Sequence, residues 1–82
     1  GRCLNMTVTA YVMVKSNTGE ADRVKSELQA IDGVEEAHIV AGDVDYIVKV
    51  QADSPGDVKR VAAGAIQDIE GVERTQTYIA MD

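Results

Sequence analysis

Ile31-Asp32-Gly33-Val34-Glu35 is the stretch on which the reading of this 82-residue chain turns, because it returns as Ile69-Glu70-Gly71-Val72-Glu73. In each copy an amphipathic run stops at Gly, and extended-type residues begin at once. Gly takes the left-handed backbone at a helix end without a Cβ penalty, so each copy reads as helix stop and strand start. Upstream of the first copy, Ala21, Val24, Leu28 and Ile31 recur at helical spacing, with Glu20, Asp22, Arg23, Lys25 and Glu27 on the outer face. Before that helix, Thr7–Val14 alternates: Val8, Ala10, Val12 and Val14 on one face, Thr7, Thr9, Tyr11 and Met13 on the other. Upstream of the second copy, Ser54-Pro55-Gly56-Asp57 reads as a helix start, with Ser54 as N-cap and Pro55 in the first helical position. Val58, Val61, Ala62, Ala65, Ile66 and Ile69 form its expected buried stripe. Strands are expected over Val34–Ala41, Val44–Ala52 and Val72–Met81, with Gly42-Asp43 as a tight connection between the first two.

Two units of strand, helix, Gly stop and strand give βαββαβ, the split arrangement of ferredoxin-like folds. The fold class is therefore α+β: a four-stranded antiparallel sheet with two helices on one face, of the dimeric α/β-barrel type. Residues 6–82 make a single domain, and Gly1–Asn5 read as an expression remnant or a disordered leader. Covering one sheet face with helices leaves the other open. That open face carries Tyr11, Met13 and Ile47, plus either Ala37/Ile39/Ala41 or Glu36/His38/Val40 from strand two. Strand four adds either Ile79/Met81 or Tyr78/Ala80. Apolar surface of that extent marks an interface, and a two-fold homodimer is its simplest cover.

Composition narrows function. Fourteen acidic against eight basic residues give a net charge of −6, which argues against direct binding to nucleic acid or to anionic membrane. No apolar run approaches the roughly 20 residues of a membrane span. The single cysteine, Cys3, and single histidine, His38, leave no basis for a zinc centre or a Cys-His pair. No P-loop or dinucleotide fingerprint is present, and no cofactor is expected.

Asp43 and Asp45 flank the connection before strand three; they suit a cation or an ammonium group, or simply a polar turn. Thr75 and Thr77 place two hydroxyls on one strand face, for a ligand or for cross-strand pairing. His38 is a lone imidazole and reads as a surface or interface residue.

The segment Ala37-His38-Ile39-Val40-Ala41-Gly42-Asp43-Val44-Asp45-Tyr46 resembles strand two, the Gly-x-aromatic-Asp loop and the opening of strand three of the effector-binding (RAM) domain of Lrp/AsnC transcription regulators. Ile69-Glu70-Gly71-Val72-Glu73-Arg74-Thr75-Gln76-Thr77 resembles the same family's Pro/Glu-Gly-Val followed by Thr-x-Thr. The likeness runs from about Val8 to Met81. Val44 departs from the pattern, which usually has an aromatic or large residue there. No helix-turn-helix segment precedes the match, so the chain resembles a stand-alone member of the kind found in archaea and bacteria, or an excised domain.

The resemblance implies a cytoplasmic amino-acid sensor for transcription regulation. It implies a homodimer, higher assembly as a tetramer of dimers, and association with full-length Lrp/AsnC regulators. It places the effector near Ala41, Gly42, Asp43, Val44, Asp45, Tyr46, Thr75 and Thr77. In that picture Gly42 lets backbone N–H groups approach a carboxylate, Asp45 accepts the ammonium group, and the threonines complete the polar shell. The acidic loop suggests an effector with a positive or polar side chain. Two alternatives stay open: a small dimeric ferredoxin-like enzyme of the monooxygenase or isomerase type, using His38 and Tyr11, and an assembly module without a ligand.

Overall fold

The structure, a computed structural model, describes residues 7–17 and 19–81. The expected leader Gly1–Asn5 and Cys3 lie outside the described residues. Seven segments follow in order: β1 (Val8–Ser16), α1 (Ala21–Gln29), β2 (Val34–Ile39), β3 (Tyr46–Ala52), α2 (Pro55–Arg60), a π-helical continuation of α2 (Val61–Ile66) and β4 (Val72–Ile79). The strands form one antiparallel sheet in the order β2-β3-β1-β4. This is the βαββαβ topology read from the repeated Gly-Val segment.

The repeat has a geometric counterpart. Gly33 and Gly71 adopt φ of 103° and 101°, the left-handed backbone that ends each helical segment and turns the chain into a strand. Ser54 caps α2 as expected, its Oγ accepting the Asp57 backbone N–H at 3.2 Å.

One core lies between the sheet and the helices. Ala10, Val12 and Val14 of β1 and Tyr46, Val48 and Val50 of β3 are buried with Val24 and Leu28 of α1. Val58, Ala62 and Ile66 of the second helix, Ile69 in the turn after it and Ala37 of β2 complete it. The helical stripe differs from expectation at Ala65, which is exposed. Val61–Ile66 winds as a π-helix, with Ala62 and Ile66 as its buried positions.

The strands also differ at their ends. β2 stops at Ile39 and β3 starts at Tyr46, so 40–45 form a loop. The loop still follows the sheet, because Val40 N–H donates to the Asp45 carbonyl at 2.9 Å and Asp45 N–H donates to the Val14 carbonyl at 2.9 Å.

Register settles which side chains occupy the open face. His38 pairs with Ile47, Ile47 with Met13, and Met13 with Gln76; Glu36 pairs with Lys49, Lys49 with Tyr11, and Tyr11 with Tyr78. Strand two therefore contributes Glu36 and His38, and strand four contributes Gln76 and Tyr78. The open face is an apolar band of Ile47, Met13, Tyr11 and Tyr78 bordered by polar groups, with Tyr11 40% and Tyr78 52% exposed. Ile39 and Ile79 turn toward the helix side and remain exposed at the sheet edges.

Candidate functional site

The loop 40–45 and the neighbouring ends of β1 and β4 come together at one end of the open face. β1 continues past Val14 through Lys15 and Ser16, where its register with β4 shifts: Lys15 faces Arg74, and Ser16 faces Val72. A bulge of this kind bends a strand and re-aims its side chains. On its other edge β1 outruns β3, whose pairing ends at Val14 with Tyr46, and the Asp45 carboxylate takes the Ser16 N–H: Oδ2 accepts it at 2.9 Å. The same oxygen lies 4.0 Å from Lys15 Nζ. Asp45 thus ties the loop to the bulged end of β1.

Beside this tie is a cavity of about 370 Å³, lined by Met13, Lys15, Asp43, Val44, Arg74, Thr75 and Gln76. Three of the residues singled out in the sequence, Asp43, Val44 and Thr75, meet in it. Gly42 sits at the loop's apex with φ of 149°, a backbone that side chains rarely adopt, and a Cβ there would meet nothing within 4 Å. The N–H groups of Gly42, Asp43 and Val44 make no backbone hydrogen bond among the described residues. Successive unbonded N–H groups next to a left-handed residue form a concavity suited to an anion. The Asp43 carboxylate is exposed and has no ion pair among the described residues.

The other expected positions lie elsewhere. Ala41 is exposed on the loop, outside the cavity lining. Tyr46 is 1% exposed, with its side chain packed in the core beneath the helices. Thr77 lies two residues beyond Thr75 along β4 and lines a different, mainly apolar groove against Pro55, Val58, Lys59 and Ala62. Four cavity residues, Met13, Lys15, Arg74 and Gln76, were not among the expected site. Nothing local marks them: the antiparallel register alone brings the end of β1 beside the start of β4. Among the described residues no three His, Cys, Asp or Glu side chains converge as a metal site. No helix among them is long and apolar enough to cross a membrane.

Comparison with known proteins agrees with the fold. Residues 9–82 match the model of the Lrp/AsnC ligand binding domain. An uncharacterized HTH-type transcriptional regulator of Pyrococcus abyssi is 33% identical over 82 residues, covering 96% of this chain and 55% of its own length. The leucine-responsive regulatory protein of Klebsiella pneumoniae is 26% identical, covering 96% of this chain and 50% of its own. Among solved structures, a hypothetical protein of Pyrococcus horikoshii superposes with a TM-score of 0.81 at 32% identity, over 90% of this chain and 89% of that one. The chain belongs to the Lrp/AsnC family and corresponds to its ligand-binding domain. It spans about half the length of the two regulators. Those relatives are regulators by name, not enzymes.

Proposed function

We propose that this chain is an amino-acid-responsive regulatory module, binding a small effector beside the loop 40–45 and acting in the cytoplasm through assembly with itself or with full-length Lrp/AsnC regulators. The observation that carries this is the cavity joining Asp43 and Val44 to Thr75 next to three unbonded N–H groups. A zwitterion needs an anion cradle and a carboxylate close together, and the loop supplies both. Gly42–Val44 N–H groups receive the α-carboxylate and Asp43 accepts the ammonium group; Thr75 borders the cavity from β4 with its side chain on the helix side of the sheet, where it pairs with Val14. Asp45 positions the loop, its Oδ2 already engaged by Ser16.

Assembly belongs to the same reading. The exposed band of Ile47, Met13, Tyr11 and Tyr78 suits a second copy stacked across a two-fold axis. The cavity opens beside that band, so an effector bound there meets the rim of such an interface. A ligand that prefers one assembly over another shifts the equilibrium toward it. The family's leucine-responsive member bears a name that ties regulation to an amino acid.

The test is a thermal-shift screen of the twenty amino acids on the wild-type chain and on Asp43→Ala. At least one amino acid should raise the melting temperature by mass action, and the substitution should remove the rise. No response to any of the twenty would reject effector binding and leave a ligand-free assembly module.

A further inference from the structure

The cavity holds more positive charge than a simple amino-acid headgroup uses. Lys15 and Arg74 face each other directly across β1 and β4. Like charges in that position repel, which costs stability unless an anion lies between or beside them. Lys15 has a partial partner in Asp45 at 4.0 Å, whose Oδ2 already accepts the Ser16 N–H. Arg74 has neither an ion pair nor a side-chain hydrogen bond among the described residues. In a chain with fourteen acidic and eight basic residues, a guanidinium left unneutralised beside a second cation is a conspicuous surplus.

We propose that Arg74, supported by Lys15, selects an effector bearing a second carboxylate, that is, an amino acid with an acidic side chain. This rests on the effector site described above. There the loop N–H groups and Asp43 account for the α-carboxylate and the ammonium group. Arg74 and Gln76, on β4 across the same cavity, then face what extends from the headgroup. A guanidinium presents a planar fork of donors that matches a carboxylate in two parallel hydrogen bonds, and Gln76 offers an amide donor beside it. Met13 and Val44 supply apolar wall for the short methylene stem between the two ends. The two aspartates of the loop, read from sequence alone, suggest a cationic or polar side chain. The structure shifts that balance, because Asp45 is committed to Ser16 and Lys15 and leaves Arg74 as the unmatched charge.

The experiment is titration calorimetry with L-glutamate, L-aspartate, L-glutamine, L-asparagine and L-leucine on wild type, Arg74→Gln and Arg74→Lys, with oligomeric state followed by light scattering. In wild type an acidic amino acid should bind about tenfold or more tightly than its amide, the effect expected of one charge-assisted contact. Arg74→Gln should shrink that preference to about twofold while leaving the assembly unchanged; Arg74→Lys should keep part of it. Arg74 is exposed, so neither variant threatens the fold. If the amides or leucine bind as tightly as the acids, the selectivity is overturned and the effector reading stands. If Arg74→Gln loosens the assembly and leaves the preference intact, Arg74 serves a partner's carboxylate and the selectivity is likewise overturned. If none of the five binds while another amino acid does in the thermal screen, the selectivity alone falls; if none binds in either, both fall.

Discussion

The Asp45 carboxylate accepts the Ser16 backbone N–H at 2.9 Å, joining the loop after β2 to a bulge 29 residues earlier in the chain. β3 ends before it reaches Ser16, and the loop supplies that N–H with an acceptor. Replacing Asp45 with Ala leaves that partly buried donor unsatisfied. The expected loss is about 1–3 kcal/mol, with Asp45→Asn retaining part of it. Urea denaturation of the two variants checks this.

Asp43 should behave in the opposite manner. Its carboxylate is exposed and unpaired among the described residues, so Asp43→Ala should change stability by no more than about 0.5 kcal/mol. The same substitution should abolish any melting-temperature rise caused by an amino acid. Measuring Asp43→Ala beside Asp45→Ala separates a residue that binds from one that positions.

The apolar band on the open sheet face makes a prediction about assembly. Met13 lies between Ile47 and Gln76 in the strand register, near the middle of that band. A charge placed there is unpaired in any stacked pair of sheets, which costs several kcal/mol when the group is desolvated. Met13→Glu should therefore be monomeric at micromolar concentration while wild type is at least dimeric, as read by light scattering. Circular dichroism should be unchanged, because Met13 points away from the helices.

Glu36 carries a pH signature. Its hydrogen bond from His38 at 3.0 Å, and next the charge of Lys49, hold its carboxyl below the ordinary 4.5. A depressed carboxylate stabilises the folded chain above its unfolded value, and that contribution fades as pH falls through the lower folded value. Because the group is exposed, the effect on global stability is small. A carboxyl-detected NMR titration should place Glu36 below an ordinary glutamate, and His38→Ala should raise it.

Gly33 tests the repeat that organises the chain. Its φ of 103° is unfavourable for an L side chain, although an added Cβ would meet Val61 and Gln51 only at 3.5 and 3.6 Å. The penalty for Gly33→Ala is then backbone strain, about 1–2 kcal/mol. Thermal or urea unfolding should show it; an unchanged midpoint would mean that the helix end tolerates a rearranged turn.

What the sequence by itself determined are the features that depend on neighbours in the chain. Alternation in β1 and β3, the 3- and 4-residue spacing of Val24 and Leu28, the Ser54-Pro55 cap and the two Gly-Val stops are local, so element order and topology were readable without coordinates. The likeness at Gly42–Asp45 and Thr75 was readable too, as a pattern of residue types. What only the tertiary structure decided are relations between distant segments. Register assigned Glu36, His38, Gln76 and Tyr78 to the open face, a choice that alternation alone leaves two-fold because a one-residue slip exchanges the faces. Packing sent Tyr46 into the core and left Ala65 exposed. The end of β3 at Tyr46 left the Ser16 N–H to Asp45, and the β1–β4 register set Lys15 against Arg74. Backbone pairing across tens of residues creates these charges' proximity, and nothing in the adjacent sequence encodes it.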